Sequence, residues 1–592
     1  MLHVSVMQGR LGWMLRGAAR GFVLFSLAPL LPHVTSPAVA QKAAAPASTT
    51  ALRVPQLVDI TASTGIRFEH LSSPEARYIV ESMGGGVALL DYDGDGWLDI
   101  YFTNAPSVAM ALEGKKARSA LYHNNHDGTF TDVTDKAGVG YPCWAMGVAV
   151  GDYNNDGRPD LVVSCFGGVV LYRNNGDGTF TDVTKASGLD KDTGWATGVT
   201  FGDYDGDGFV DLFVPHYVDI DLKDLPTFGS KITCRYHDVP VQCGPRGLKG
   251  APDALYHNNG DGTFTEVAKQ VGVDDSKNRF FGLTALWSDF ANDGKLDLFV
   301  ANDGEPNYLY KNNGDGTFKE IGYESGIALG EDGTEHANMG VALGDYMHTG
   351  RMGVFVSHFS DEYAVLYRNE GALNFSDVSH VSGVARPTVP FVGWGDAFVD
   401  LDNSGWLDLV LVNGHVYPQV DNARLGTKFK EPKLVFQNQR NGTFKDVSAQ
   451  AGAALAVPQV SRGLAVGDLF NRGRLDLVVE NLTGGPMILE AKSPSENHWV
   501  SFQLEGSPSN RLALNARVFV TTGSIRQMDE IRSGGSYLSQ SDIRLHFGLG
   551  DAARIDSVEV RWPNGATQTF KDVAADRFYR LKQGGVLTSS GR

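Results

Sequence analysis

Short runs of small and apolar residues recur along most of the chain, and each breaks off at a cluster of acids. Met146-Gly147-Val148-Ala149-Val150-Gly151 is one such run, and Asp152-Tyr153-Asn154-Asn155-Asp156-Gly157-Arg158-Pro159-Asp160 follows it. Leu161-Val162-Val163 resumes the apolar pattern, then Val170-Leu171-Tyr172, and a Gly-Asp-Gly-Thr-Phe turn leads into Thr181-Asp182-Val183-Thr184. Runs this short, bounded by turn residues, predict strands rather than helices. The acid clusters begin at Asp91, Asp152, Asp203, Asp289, Asp345, Asp400 and Asp468, and the flanking strands repeat with them. Four short strands per unit, repeated seven times in tandem, predict an all-β, seven-bladed β-propeller. The Gly-Asp-Gly-Thr-Phe segments read as hairpin turns, not ion sites.

The seventh unit lacks its fourth strand after Pro486-Met487-Ile488-Leu489. At the other end, Leu57-Val58-Asp59-Ile60-Thr61 parallels Phe130-Thr131-Asp132-Val133-Thr134 without a unit of its own. The N-terminal strand is therefore expected to complete the last blade and remove an exposed sheet edge. His498-Trp499-Val500 is the weaker competitor for that place. Beyond about residue 495 the acid clusters stop, while Asn515 to Val520 and Ser557 to Trp562 alternate as strands around an Asn564-Gly565 turn. A small sandwich-like β-domain over 495–592, packed on the propeller's tail, is expected.

The acid clusters have the chemistry of a calcium loop. In Asp91-Tyr92-Asp93-Gly94-Asp95-Gly96-Trp97-Leu98-Asp99, alternate carboxylates converge and the glycine at the sixth position allows the turn that brings the ninth round. Oxygen ligands alone point to calcium over a transition metal. The twelfth position, Glu in a helix–loop–helix site, is Phe102 here, so the loop joins two strands. Loops at Asp91, Asp93, Asp95 and Asp99 and at Asp203, Asp205, Asp207 and Asp211 are complete. Asp152, Asn154, Asp156 and Asp160, and Asp400, Asp402, Ser404 and Asp408, each substitute a ligand; Asp289, Asp293 and Asp297 have lost their second to Ala291. The loops at Asp345 and Asp468 should be empty hairpins, with Arg472 bringing a positive charge of its own. Occupancy of about three to five sites is expected.

Length and charge fit this picture. A chain of 592 residues exceeds one ordinary core. Its net charge of −18 lies largely in the loops, the four best of which hold fourteen aspartates, and no basic stripe suggests nucleic acid. Arg10, Arg16 and Arg20 precede an apolar run from Gly21 to Leu31, and Ala38-Val39-Ala40 is a cleavage-type site, so 1–40 reads as an export signal and 41–53 as a flexible lead-in. The run is too short to span a bilayer, and the mature chain is expected to be secreted or periplasmic. Cys143, Cys165, Cys234 and Cys243 are an even set in an exported chain. Counting leaves three pairings open; a shared face in one blade favours Cys143–Cys165, and a shared insertion over 215–253 favours Cys234–Cys243.

The repeats resemble the FG-GAP/VCBS type that builds the integrin α propeller. Asn497-His498-Trp499, Ala516-Arg517-Val518, Gly535-Ser536-Tyr537-Leu538-Ser539-Gln540, His546-Phe547-Gly548-Leu549-Gly550 and Trp562-Pro563-Asn564-Gly565 resemble the UnbV/ASPIC domain. Together they resemble a bacterial relative of the cartilage acidic protein family. The resemblance implies calcium binding and extracellular interaction, without a defined reaction. No Gly-x-Ser-x-Gly, His-Glu-x-x-His or P-loop is present. The leading expectation is an exported binding protein for a protein or carbohydrate; a carbohydrate-active lyase or dehydratase and a structural envelope component are the alternatives. Loops opposite the acid clusters carry the least repetitive polar residues, and a ligand site is expected there from His216, Tyr217, Arg279, Asp303, Glu305, His336, His358, Asp361, Asp396, His415 and Arg462.

Overall fold

The computed structural model describes residues 52–225, 234–492 and 496–590. The export signal expected over 1–40, most of the lead-in and part of the insertion lie outside the described residues. Seven four-stranded antiparallel sheets follow one plan. In the second, Ala145–Gly151, Asp160–Cys165, Gly168–Asn174 and Phe180–Asp182 pair in chain order, and the acid loop joins the first two. The first strands of the seven sheets touch in sequence around a closed circuit, the first sheet meeting the seventh. The molecule is a β-propeller with its first strands around the axis. The seventh blade takes Leu57–Asp59 as its fourth strand, with Leu57 opposite Ala491, as the unpaired repeat predicts. His498–Glu505 pairs elsewhere, with Leu545–Gly550 and Arg577–Lys582.

Two side-chain devices hold blade to blade. Gly202 ends a first strand because a Cβ there would stand 2.6 Å from the Trp287 indole of the next blade. The second device is asparagine. Asn124, Asn174, Asn258, Asn312 and Asn438 end third strands and are buried. Each donates from Nδ2 both to its own blade and to the preceding one: Asn258 reaches Val210 O at 3.0 Å and Tyr153 O at 2.7 Å. Asn124 reaches back across the closure to Leu469 O at 2.8 Å. Asn369 keeps the bond to the preceding blade, to Phe290 O. Blade seven has Ala491 at this position.

The C-terminal segment forms two further four-stranded sheets, one built on His498–Glu505 and one on Arg517–Thr522. Phe502, Phe547, Val518 and Val560 belong to the core between them. The expected packing on the propeller's tail is corrected here. This domain lies across the face that carries the acid loops and sends residues 533–541 down the axis. Inner strand edges offer backbone groups that need partners. The inserted segment supplies them: Val341 N donates to Ser536 O at 2.8 Å, Leu89 N to Gln540 O at 2.9 Å, and Val148 N to Leu538 O at 3.1 Å. Tyr537 ends up fully buried, edge-on to Trp394 at 4.6 Å between ring centroids.

Cys143–Cys165 and Cys234–Cys243 are both disulfide-bonded, the pairings favoured by shared face and shared insertion. Among the described residues, no helix is long and apolar enough to cross a membrane.

Candidate metal loops and axis mouth

The first acid of every loop serves the backbone whether or not the loop is complete. It accepts the N–H of the sixth residue in all seven, at 2.6 to 3.1 Å. The ninth acid accepts from the end of the third strand, as Asp99 Oδ1 does from Asn124 N at 2.8 Å and Asp211 Oδ1 from Asn258 N at 2.9 Å. The fifth acid accepts from the seventh residue, as Asp95 Oδ1 does from Trp97 N at 2.8 Å and Asp207 Oδ1 from Phe209 N at 2.8 Å. Acidic oxygens gather within 4.8 Å in two loops, as Asp91, Asp93 and Asp95 and as Asp203, Asp205 and Asp211, the two that are complete in sequence. Asp91 Oδ1, Asp297 Oδ2 and Asp408 Oδ2 are buried without a hydrogen-bond partner. These hard, oxygen-only donor sets fit calcium. Burial foremost, then neighbouring carboxylates, pushes Asp99 up to about 9 and Asp203 up to about 7. Burial raises Asp160, Asp400 and Asp408 well above the usual carboxylate range. A bound cation would reverse that penalty.

Other loops carry internal cations. Arg158 closes on Asp156, and Asn154 Nδ2 donates to the same carboxylate at 3.0 Å. Lys295 lies 3.5 Å from Asp293. In the last loop Arg472 pairs with Asp476 at 2.9 Å and also with Glu490, as its sequence suggests.

A signal at the fourth loop position escaped the sequence reading. Asn155, His348, Asn403 and Asn471 hold φ values of 50 to 57°, and Asn292 holds 58°. Each side chain reaches the following blade's loop: Asn155 donates to Gly208 O at 2.7 Å, Asn403 to Gly473 O at 2.8 Å and Asn471 to Gly96 O at 2.9 Å. Asn292 reaches Gly350 O and His348 reaches Gly405 O. The C-terminal domain contacts four of the same side chains, through Arg511 N on Asn155, Arg517 on Asn292, His546 on Asn403 and Arg544 on Asn471. Gly94 and Gly206 occupy this position in the two complete loops, which therefore lack the tie. Those two loops alone have histidine facing them from the third strand. His123 Nδ1 lies 3.4 Å from Asp93 and 3.3 Å from Asp99; His257 Nδ1 lies 3.4 Å from Asp205 and 3.1 Å from Asp211.

On the opposite face the structure divides the expected ligand residues. His216 is buried and clamped, Nδ1 to Pro252 O at 2.7 Å and Nε2 to Asp192 at 3.0 Å; despite its burial, that carboxylate holds it up at about 9. His415 is buried, takes Tyr417 N on Nδ1 at 3.1 Å, and is pushed down to about 3 by burial. Arg462 is fully buried, stacked 4.0 Å over Trp394 and bonded to Ser82 O and Gly414 O. Asp396 lies in the axial channel beside the inserted segment, its backbone N–H on Ser536 Oγ and both carboxylate oxygens without a partner. Arg279 holds a turn with φ 55°, and Glu305 is half-buried near Arg246. Asp361 fastens the insertion, accepting from Tyr236 Oη at 2.9 Å and pairing with His237 at 2.6 Å.

Asp303 alone of the eleven lines the cavity at the axis mouth, where Tyr217 Oη donates to it at 2.6 Å. Burial pushes Asp303 up to about 7. The cavity, about 430 Å³, is walled by Met83, Tyr236, Phe359, Trp394 and Tyr417, and adds Glu362, which the sequence reading missed. Its roof is the disulfide-closed hairpin Cys234–Tyr236 and Val239–Val241.

A profile described as FG-GAP-like repeat matches residues 91–163, 152–214 and 289–356, and one described as ASPIC and UnbV matches 506–587. The chain folds as a β-propeller whose repeats match the FG-GAP-like model, followed by a segment that matches the ASPIC and UnbV model. It is similar to cartilage acidic protein 1 of Mus musculus, with 25% identity over 508 residues, covering 81% of this chain and 70% of that protein. The Homo sapiens protein of the same name is 24% identical over 501 residues, with 81% and 69% covered. Among solved structures, one on recognition of non-reducing terminal N-acetylglucosamine by an Agrocybe aegerita lectin aligns at 17% identity and TM-score 0.34, covering 68% of this chain and 87% of that one.

Proposed function

We propose that the chain is an exported, calcium-binding interaction protein that holds its ligand at the axis mouth opposite the acid loops. The observation that carries this is the cavity of about 430 Å³, where Asp303 and Glu362 face Tyr236, Phe359, Trp394 and Tyr417. Concave sites with apolar walls and a few polar groups are where propellers and other rigid scaffolds bind. The loop face is taken up by the C-terminal domain, so calcium there acts on rigidity rather than contact. Two disulfides fit an oxidising compartment. The ligand class is carbohydrate or protein. The test is binding of labelled protein to glycan and extracellular-protein arrays. Tyr417→Ala and Asp303→Asn should abolish the signal and Asp205→Ala should leave it. Loss with Asp205→Ala alone would move the site to the loop face.

A further inference from the structure

The wall behind Glu362 holds a group of side chains that the reading above does not use. His336 Nδ1 is buried without a hydrogen-bond partner and lies 3.6 Å from Glu362 Oε2. His336 stacks on His358 at 4.7 Å between centroids and 7° between planes. Donor atoms of His336, His358 and Glu362 lie within 4.8 Å of one another. Both histidines are buried, while Glu362 opens on the mouth cavity.

The surroundings of His358 point to a missing positive charge. Its Nδ1 lies 2.6 Å from Tyr363 O, which can only accept, so Nδ1 carries the proton. Its Nε2 faces Asn338 Oδ1 at 2.9 Å. The amide cannot be turned round, because Asn338 Nδ2 already donates to the carbonyls of Asn302, His336 and Glu305. A neutral ring therefore sets a lone pair against a carbonyl oxygen. His216 stands at the corresponding strand end and meets the same geometry with Asp192 as counter-charge. His358 has a neutral amide instead, and burial disfavours the imidazolium. A metal ion on Nε2 removes the conflict without a second ring proton once the ring tilts its lone pair off the Asn338 oxygen and toward Glu362. The contact of Nδ1 to a backbone carbonyl is the usual way a ligating histidine is oriented.

We propose that His336, His358 and Glu362 form a site for a borderline divalent cation of the zinc type, separate from the calcium loops, with an open position toward the mouth cavity. Two nitrogens and one carboxylate oxygen select against calcium, and three protein ligands leave room for water or a ligand group. Bonds near 2.1 Å place neighbouring tetrahedral donors about 3.4 Å apart, so loading draws the group in by roughly an ångström and separates the stacked rings.

The experiment uses the mature chain, stripped with chelator and then saturated with calcium. Zinc is titrated by calorimetry, and cobalt by its visible absorption, which reports nitrogen ligation. One zinc per chain should bind, with a cobalt band. Glu362→Gln and His336→Asn should weaken zinc at least tenfold and abolish the band, while the protein keeps its calcium-dependent melting. The His123→Asn, His257→Asn double variant should retain both signals. Absence of zinc binding tighter than about 0.1 mM would overturn the proposal, as would signals that survive Glu362→Gln and disappear in the double variant. Neither result bears on array binding by the calcium-loaded protein, so the two readings fail separately.

Discussion

Asp205→Ala and Asp345→Ala separate the two jobs that aspartate does in these loops. Asp345 belongs to a loop with Met347 and Gly353 where ligands would be, yet it is 3% exposed. It accepts Thr349 N at 2.7 Å, Gly350 N at 2.7 Å and Thr349 Oγ1 at 3.2 Å. Removing it leaves two N–H groups of a tight turn without acceptors, a cost of about 2–4 kcal/mol given their partial access to water. That cost is independent of metal. Asp205 belongs to a repelling cluster with its side chain 26% exposed, and burial and then Asp207 raise its carboxyl. Without a cation its loss should be neutral or slightly stabilising. With calcium at a hundredfold over Kd, one site contributes about 2.7 kcal/mol, and Asp205→Ala should forfeit most of it. For roughly 540 cooperatively unfolding residues, each kcal/mol moves Tm by about 1 °C. Scanning calorimetry in chelator should place Asp345→Ala about 2–4 °C below the parent and Asp205→Ala level with it. In calcium, Asp205→Ala should fall about 2–3 °C short of the parent. If Asp345→Ala melts with the parent in chelator, the structural role given to the first acid is wrong; if Asp205→Ala gains as much from calcium as the parent does, the loop at Asp203 is not a site.

Three further outcomes are expected. Asn258→Ala strands Tyr153 O, Val210 O and Gly260 N, and should cost about 3–6 kcal/mol in denaturant melts, whereas exposed Asn259→Ala should stay within about 1 kcal/mol. Tyr537→Ala empties a fully buried site against Trp394, and should cost about 3–5 kcal/mol and expose 533–541 to limited proteolysis. In chelator, the hydrogen bond with Asp211 raises His257 to about 8 from a usual 6.5. A raised folded value means stability that is whole below about pH 6.5 and lost as pH climbs through about 8, so His257→Asn should flatten Tm over that window.

Repetition made the blades legible. The orphan Leu57–Asp59 segment gave the ring closure because a missing strand at one end matched a spare one at the other. Disulfide pairing followed from which ends of which strands share a face. Ligand counts picked out the two loops whose carboxylates converge. What stayed hidden was relational. The recurring Asn at the end of the third strand was visible at Asn124, Asn174 and Asn258, but its role depends on a carbonyl 82 to 345 residues away. The docking of the C-terminal domain could not be read either. Gly535-Ser536-Tyr537-Leu538-Ser539-Gln540 has no amphipathic period, since its backbone, rather than one face, meets the inner strands. His216, His358 and His415 stand at comparable blade positions in the sequence, but the partners that fix His216 and His415 are set by the fold. Glu362 was passed over because an acid one residue after Asp361 carries no pattern; only the fold sets it beside His336.

The segment 533–541 also works as a gauge. A propeller with an open shaft can gain or lose a repeat in evolution and re-close at a new diameter, because each sheet meets only its neighbours. Here one short segment hydrogen-bonds across the bore to Val341 on one side and to Leu89 and Val148 on another. A ring of six or eight sheets would be too narrow to admit that segment or too wide to touch it. The terminal domain thereby fixes the copy number of the repeats that precede it. A change in the number of repeats would have to be matched by a change in the plug.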